Sequence, residues 1–241
     1  MSVYVIGDLH LSFGNSEEEN KPMNIFGQNW ANHSEKIRQD WQERVKPEDT
    51  VILAGDFSWA TYLKDTLKDF KFINNLEGHK ILLKGNHDYW WTTVTSMKKF
   101  LKENNIENVD FMYNNGFEIE SKIFVGTRGW TYAQTDNSEK MINRECARLE
   151  ISIKSSIEKY GENKEIICIM HYPPLSHLSM KNDSYSSKFL DVMKKYGVKK
   201  CYYGHLHGKA HQEAVEEKVE GIDFKLISSD YLDFKLCKIC N

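Results

Sequence analysis

The sequence predicts an α/β fold, with strands and helices alternating along a chain of 241 residues. Three observations carry that prediction. Short apolar runs recur along the chain, and each stops at glycine, aspartate, asparagine or histidine. Between them, apolar residues repeat at helical spacing. The apolar runs are continuous rather than alternating, as expected of strands buried on both faces.

Taken in order, Val3–Ile6 is a strand that runs into Gly7-Asp8. Ile37, Trp41 and Val45 mark one helical face. Val51–Ala54 is the next strand and ends at Gly55-Asp56. Leu63, Leu67, Phe70 and Ile73 mark a second helix, and Ile81–Leu83 is a strand leading into Lys84-Gly85-Asn86. Val94, Met97 and Leu101 mark a third helix. Phe111–Tyr113, Phe117–Ile119 and Ile123–Val125 read as short strands of a second β-rich layer. Glu139 to Tyr160 reads as one long helix with Ile142, Cys146, Leu149, Ile153 and Ile157 on its stripe. Ile166–Met170 is a strand reaching His171, and Cys201–Tyr203 is a strand reaching Gly204-His205. Val215–Val219, Gly221 and Ile222–Ile227 read as a hairpin, and Leu232–Ile239 as a last strand. Proline stands only at 22, 47, 173 and 174, so no proline-rich linker divides the chain, and residues 1–241 are expected to form a single domain.

Composition narrows the function classes. Hydrophobic residues make up 40% and charged residues 28%, too apolar for a disordered chain. The longest apolar runs are strand-sized, so no membrane span is expected. The net charge of -3 argues against a protein that relies on overall positive charge to hold nucleic acid. Five irregularly spaced cysteines, and a start lacking the basic-then-apolar pattern of a signal peptide, point to a reducing cytoplasm.

In open α/β sheets, ligands bind beyond the carboxyl ends of the strands. The polar clusters at those ends are Asp8-Leu9-His10, Gly55-Asp56, Gly85-Asn86-His87-Asp88, His171 and Gly204-His205-Leu206-His207. They take five of the nine histidines. The result is an oxygen and nitrogen donor set without thiolate, suited to Mn, Fe or Zn. In Asp8-x-His10 and His205-x-His207 the two side chains of an extended pair point to the same side, so both can reach one ion. The preceding glycines let the backbone turn tightly and let a ligand come close.

The ordered set Asp-x-His, Gly-Asp, Gly-Asn-His-Asp, His, Gly-His-x-His resembles the calcineurin-like metallophosphoesterases, and the Met23, Phe26-Gly27, Trp30 and Gly126-Thr127-Arg128-Gly129-Trp130 surroundings look like a bacterial branch of predicted phosphohydrolases. The matching motifs run from Asp8 to His207. Each is weak alone; the five in order are specific. The resemblance implies two β-sheets packed face to face, flanked by helices in an α/β/β/α sandwich. It implies two metal ions, one held by Asp8, His10, Asp56 and His207, the other by Asp56, Asn86, His171 and His205, with Asp56 bridging. His87 would stabilise or protonate the departing oxygen, and Asp88 would orient its ring. The implied reaction is attack of a metal-activated hydroxide on a phosphoric mono- or diester. The aromatic residues near the motifs suggest a small-molecule or nucleotide-like substrate with a flat leaving group.

Arg128, between two glycines, and Asn86 are candidate phosphate contacts. Lys84 stands where the protein phosphatases of the family have a phosphate-binding arginine, although a solvent-facing lysine is the simpler expectation. Trp59, Trp90, Trp91 and Trp130 are expected mostly in the core, with at least one a candidate substrate contact. Residues 12–33 are a long polar stretch read as a candidate lid carrying Trp30. His33, His79, His177 and His211 are expected at the surface or in structural roles, with His177 held near His171 by Pro173-Pro174. Cys237-x-x-Cys240 is expected to be incidental. Phe57-Ser58-Trp59 follows Gly55-Asp56 in place of the Asp-Arg-Gly of protein serine/threonine phosphatases, and Asp88 stands in place of Glu. These departures weaken the alternatives of protein phosphatase or nuclease. The alternative from another class is a scaffold that keeps the fold without catalysis.

Overall fold

The structure is a computed structural model and describes residues 1–14, 23–132, 137–181 and 184–240. Strands β1 (Val3–Ile6), β2 (Thr50–Leu53), β3 (His79–Leu83) and β4 (Val109–Met112) run parallel, in that spatial order. β13 (Cys237–Cys240) joins the free edge of β1 antiparallel, giving a five-stranded sheet. A second, six-stranded sheet has β6 (Lys122–Thr127), β7 (Glu165–Met170), β10 (Lys200–Tyr203) and β12 (Ile222–Leu226) parallel at its centre. Its edges are antiparallel: β5 (Gly116–Ile119) on β6, and β11 (Lys218–Val219) on β12. A small ribbon pairs β8 (Met180–Lys181) with β9 (Ser184–Tyr185).

The continuous apolar runs are explained by burial on both faces. In β1, Val3 and Val5 face the layer between the sheets, while Tyr4 and Ile6 face the helices. In β7, Ile167 and Ile169 point between the sheets, and Ile166, Cys168 and Met170 point outward. Helices α1 (His33–Arg44), α2 (Leu67–Asn74) and α3 (Val94–Glu103) cover the first sheet. Helices α4 (Ser138–Tyr160) and α5 (Lys188–Lys195) cover the second. The layers are therefore α/β/β/α, the sandwich expected.

Local chemistry sets the helix ends. The Thr93 hydroxyl accepts from Ser96 N at 3.2 Å and opens α3; the Ser187 hydroxyl accepts from Leu190 N at 3.0 Å and opens α5. Each such cap stabilises by about 1 kcal/mol. The long α4 stripe is buried through Cys146, Leu149 and Ile153, and the helix stops at Gly161, whose φ of 98° suits glycine.

Four expectations need correction. The strand at Phe111 belongs to the first sheet as β4, because α3 returns the chain beside β3; a run of apolar residues does not say which sheet it joins. Only Cys237–Cys240 of the last run is strand, since Asp233 and Phe234 take left-handed φ of 52° and 59° and turn the chain. Val45 caps α1 rather than lying in it, and Leu63 opens a 3₁₀ turn ahead of α2. Helix α5, with Phe189, Leu190 and Met193 buried, was not foreseen; eight residues carry too little periodic signal. Among the described residues no helix is long and apolar enough to cross a membrane.

Candidate metal centre

Strand ends of both sheets converge on one cluster. Asp8 and His10 follow β1, Asp56 follows β2, Asn86 and His87 follow β3, His171 follows β7, and His205 and His207 follow β10. Gly7 N donates to Ile227 O at 2.7 Å and ties the first sheet to the second there. Four of the polar residues adopt left-handed backbone: Asp8 (φ 61°), His10 (46°), Asp56 (51°) and His205 (76°). Such conformations cost non-glycine residues free energy and cluster at functional sites. Glycines make room at two points. A Cβ on Gly85 would collide with the Asp56 carboxylate, and one on Gly204 with the Asp8 carboxylate.

Two donor groups form, Asp8–His10–His207 and Asp8–Asp56–His171, each with its ligand atoms within 4.8 Å of one another. His207 Nε2 lies 3.4 Å from Asp8 Oδ1, and His171 Nδ1 lies 3.8 Å from that oxygen. Asp56 Oδ2 stands between the groups, 3.7 Å from His10 Nε2 and 3.6 Å from His171 Nε2. Asn86 Oδ1 is 2.6 Å from His171 Nε2. The His205 ring is centred 5.1 Å from that of His171, and His205 N donates to the Asp8 carboxylate at 3.0 Å. The seven residues named from the sequence as metal ligands thus stand together.

The donor set fits bound cations. His171 Nδ1 faces the Ala54 carbonyl at 3.1 Å, which assigns the proton to Nδ1 and the lone pair to Nε2. That lone pair then faces the oxygens of Asn86 and Asp56. These donor atoms converge from separate strand ends, an arrangement that fits a bound cation. The carboxylates say the same. Burial pushes Asp56 up to about 8, and the Asp8 charge adds to the rise. For Asp8, burial is outweighed by His207, then His171 and His10, and its carboxyl is held well below the usual range. Burial, and then His171, brings His205 down to about 3; burial also lowers His10 and His171, leaving neutral rings suited to ligation. His207 goes the other way: burial would lower it, but Asp8 and Asp230 raise it to about 10.

Asp230 is a residue that the sequence reading missed. Its Oδ1 lies 2.8 Å from His207 Nδ1, its Oδ2 accepts from Gly208 N at 3.0 Å, and His211 Nε2 is 3.3 Å away. It fixes the ring so that Nε2 faces Asp8. The signal was available, since Asp230 closely follows the end of the parallel strand β12. Tyr172, next to His171, was also missed; its ring packs 4.2 Å from His205.

The other candidates fall as follows. The His87 ring sits 4.6 Å from Trp59 and 5.8 Å from His10, and its main-chain N donates to Asp56 Oδ1 at 2.8 Å. Asp88, expected to orient that ring, spends its carboxylate otherwise: it accepts from the main-chain N of Asp56, Phe57, Ser58 and Gly85, and from Trp90 Nε1, at 2.7–3.3 Å. It braces the loops that carry Asp56 and His87. Arg128 lays its guanidinium 4.6 Å from the Trp130 ring, with a buried Nε lacking a partner among the described residues. Lys84 is half-buried rather than solvent-facing and lines a void of about 20 Å³ with Arg128 and Arg148. Burial, and then Arg128, lowers its ammonium.

Trp90 and Trp91 are buried in the helix-side core with Phe70 and Phe111. Trp59 and Trp30 instead flank the site, Trp59 stacked on His10 at 4.8 Å and Trp30 edge-on to His207 at 5.5 Å. The lid reading falls partly on residues 15–22, outside the described residues. His177 is exposed in a 3₁₀ turn, with Tyr185 as its ring neighbour; His79 pairs with Asp110 at 3.2 Å, and His33 packs on Trp30. Cys237 and Cys240 pack against the layer between the sheets.

Fold and donor set define a candidate metal centre at the strand ends of a double β-sandwich. The family model described as calcineurin-like phosphoesterase matches residues 1–209, and the chain belongs to that family. Among solved structures, a protein from Thermus thermophilus aligns with TM-score 0.61 at 10% identity, covering 99% of this chain and 97% of its own. A phosphopantetheinyl hydrolase from Mycobacterium tuberculosis aligns with TM-score 0.56 at 13% identity, covering 99% and 95%. A protein of unknown function from Aquifex aeolicus aligns with TM-score 0.50 at 17% identity, covering 98% and 95%. At these identities the likeness shows the fold. No curated protein matches the sequence.

Proposed function

We propose that this chain is a two-metal phosphohydrolase acting on small-molecule phosphoric mono- or diesters. The observation that carries the reading is the pair of buried carboxylates, Asp8 and Asp56, set among the imidazoles of His10, His171 and His207 in two donor groups that share Asp8. Asp8, His10, Asp56 and His207 would hold one ion, and Asp56, Asn86, His171 and His205 the other, with manganese, iron or zinc suited to these donors. When bound, such a pair supplies an activated water at neutral pH and a clamp on phosphoryl oxygens.

The chain's own residues do the rest. Asp88 fixes the loops so that Asp56 and His87 share one mouth. His87 lines the cavity beside the donor groups, which supports it as the proton donor to the departing oxygen. Arg128 and Asn86 are the proposed phosphate contacts. Asp230 holds His207 in the ligating orientation. A cytoplasmic setting is supported by the cysteines, which all stand as thiols.

The test is metal analysis with a panel of phosphate esters. Reconstituted protein is expected to bind about two ions per chain and to hydrolyse p-nitrophenyl phosphate or its bis ester. Asp56→Ala is expected to lose both metal and activity. A wild-type chain that binds no transition metal overturns the reading.

A further inference from the structure

Beside the donor groups lies a cavity of about 310 Å³ that extends away from the phosphoryl-binding residues. Its floor is the polar edge of the site, His10, His87 and His207. Its walls are Met23, Phe26, Trp30 and Trp59, with Lys209 at the rim. Trp59 stacks on His10 with ring planes 22° apart, and its Nε1 donates to Met23 Sδ at 3.1 Å, so this indole donor is used within the wall. Trp30 is held edge-on between His207 and Phe234, at 5.5 and 5.1 Å. Phe26, by contrast, is 62% exposed, an aromatic face left largely uncovered by the described residues. Among the described residues, the walls carry no hydroxyl, amide or carboxylate side chain.

We infer that this cavity takes a planar aromatic leaving group, one or two fused rings in size, whose ester oxygen faces His87. The inference rests on the phosphohydrolase reading for its orientation and goes beyond it in naming the substrate class. The volume is at the lower end of ligand pockets, which run ~300–1,000 Å³. Rigid aromatic walls favour a flat apolar body, which stacks offset or edge-on. Along these walls a sugar or polyol would meet only indole, phenyl and thioether surface, with polar partners confined to the floor and rim, which favours the flat apolar body. Continuity with His10, His87 and His207 places the occupant on the leaving-group side rather than at a remote surface.

Two measurements separate this inference from the reading beneath it. First, the manganese-loaded protein is given phenyl phosphate and 2-naphthyl phosphate, whose leaving groups have similar acidity. The naphthyl ester is expected to show a KM about tenfold lower, and Phe26→Ser to erase that preference. Second, chelator-treated, ¹⁵N-labelled protein is titrated with 2-naphthol. The indole N–H signals of Trp30 and Trp59 are expected to shift and that of Trp41, deep in the helix-side core, to stay; in Phe26→Ser the affinity falls several-fold. Hydrolysis of phenyl phosphate with no naphthyl preference and no indole shift overturns the inference and leaves the hydrolase reading standing. Indole shifts with no ester hydrolysed overturn the hydrolase reading and the leaving-group assignment with it, leaving only an aromatic-binding cavity.

Discussion

The clearest consequence of the site is that stability and metal binding are linked through pH. Burial, with the Asp8 charge behind it, pushes Asp56 up to about 8, against about 3.9 in an unfolded chain. Its sign follows from proton uptake on folding. Below the unfolded value Asp56 is neutral in both states and costs nothing; as pH rises the folded state resists ionising, and the cost is complete above the folded value. Between pH 7 and pH 9 this one carboxyl removes about 1.4 kcal/mol. His207, raised to about 10 by Asp8 and Asp230 against burial, has the same sign, since its stabilisation is full below its unfolded value and is lost as pH rises through the folded one. For a chain of this size, the Asp56 contribution alone is about 3–6 °C in Tm. Bound ions would hold Asp56 and His207 deprotonated and would remove the dependence. Thermal unfolding followed by circular dichroism, in chelator and in manganese at pH 7 and pH 9, reads this directly. The drop is expected in chelator, is expected to be much smaller with manganese, and is expected to shrink in Asp56→Asn. An equal drop with and without metal would refute the reasoning.

Two further predictions follow from the same geometry. His87→Ala is expected to keep its metals and to lose about 10²–10⁴-fold in kcat, more for an alkyl than for a nitrophenyl leaving group; metal loss equal to that of Asp56→Ala would remove it from the proton-transfer role. Asp230→Asn, which leaves His207 Nδ1 without its anionic partner, is expected to weaken metal binding about 10–100-fold in competition with a chelator, and unchanged affinity would show that the contact does not orient the ligand.

Much of this architecture was legible in the chain because strands buried on both faces have no polar side to blur them. Val3–Ile6 and Ile166–Met170 were readable for that reason, and the strand-end rule then gathered Asp8, Asp56, His171 and His205 into one site. What failed was relational. The run at Phe111 gave a strand but not its sheet, because membership depends on the return path of α3. Asp88 sits beside His87 in sequence, yet its carboxylate turns back to the main chain of Phe57 and Gly85. Asp230 lay beyond the recognised motifs, although the same strand-end rule applied at β12 would have reached it. The four aromatic residues near the motifs also look alike in sequence. Packing separates Trp90 and Trp91, which fill the core, from Trp59, which faces the cavity.

Asp8 and Asp56 share a left-handed backbone and deep burial, but their side chains do opposite things to the fold. Asp8 is matched: it faces His207 and accepts from His205 N, and its carboxyl is held well below the usual range against the cost of burial. Asp56 is mismatched, raised by burial and by Asp8 itself. Replacing either with glycine relieves a φ of 61° or 51°, a strain of about 1–3 kcal/mol. Only the environments differ thereafter. Asp8→Gly leaves His207 charged and short of its partner, so chelator-treated protein is expected to melt lower than wild type. Asp56→Gly removes a repulsion along with the strain, at the loss of the bonds from His87 N and the Asn86 backbone, so it is expected to melt higher than wild type at pH 9 while binding no metal pair. Raised stability at the cost of the metals would mark Asp56 as a residue kept for chemistry. If both variants melt lower by the same amount, the carboxylates are equivalent structural groups, and the electrostatic asymmetry assigned to the site is wrong.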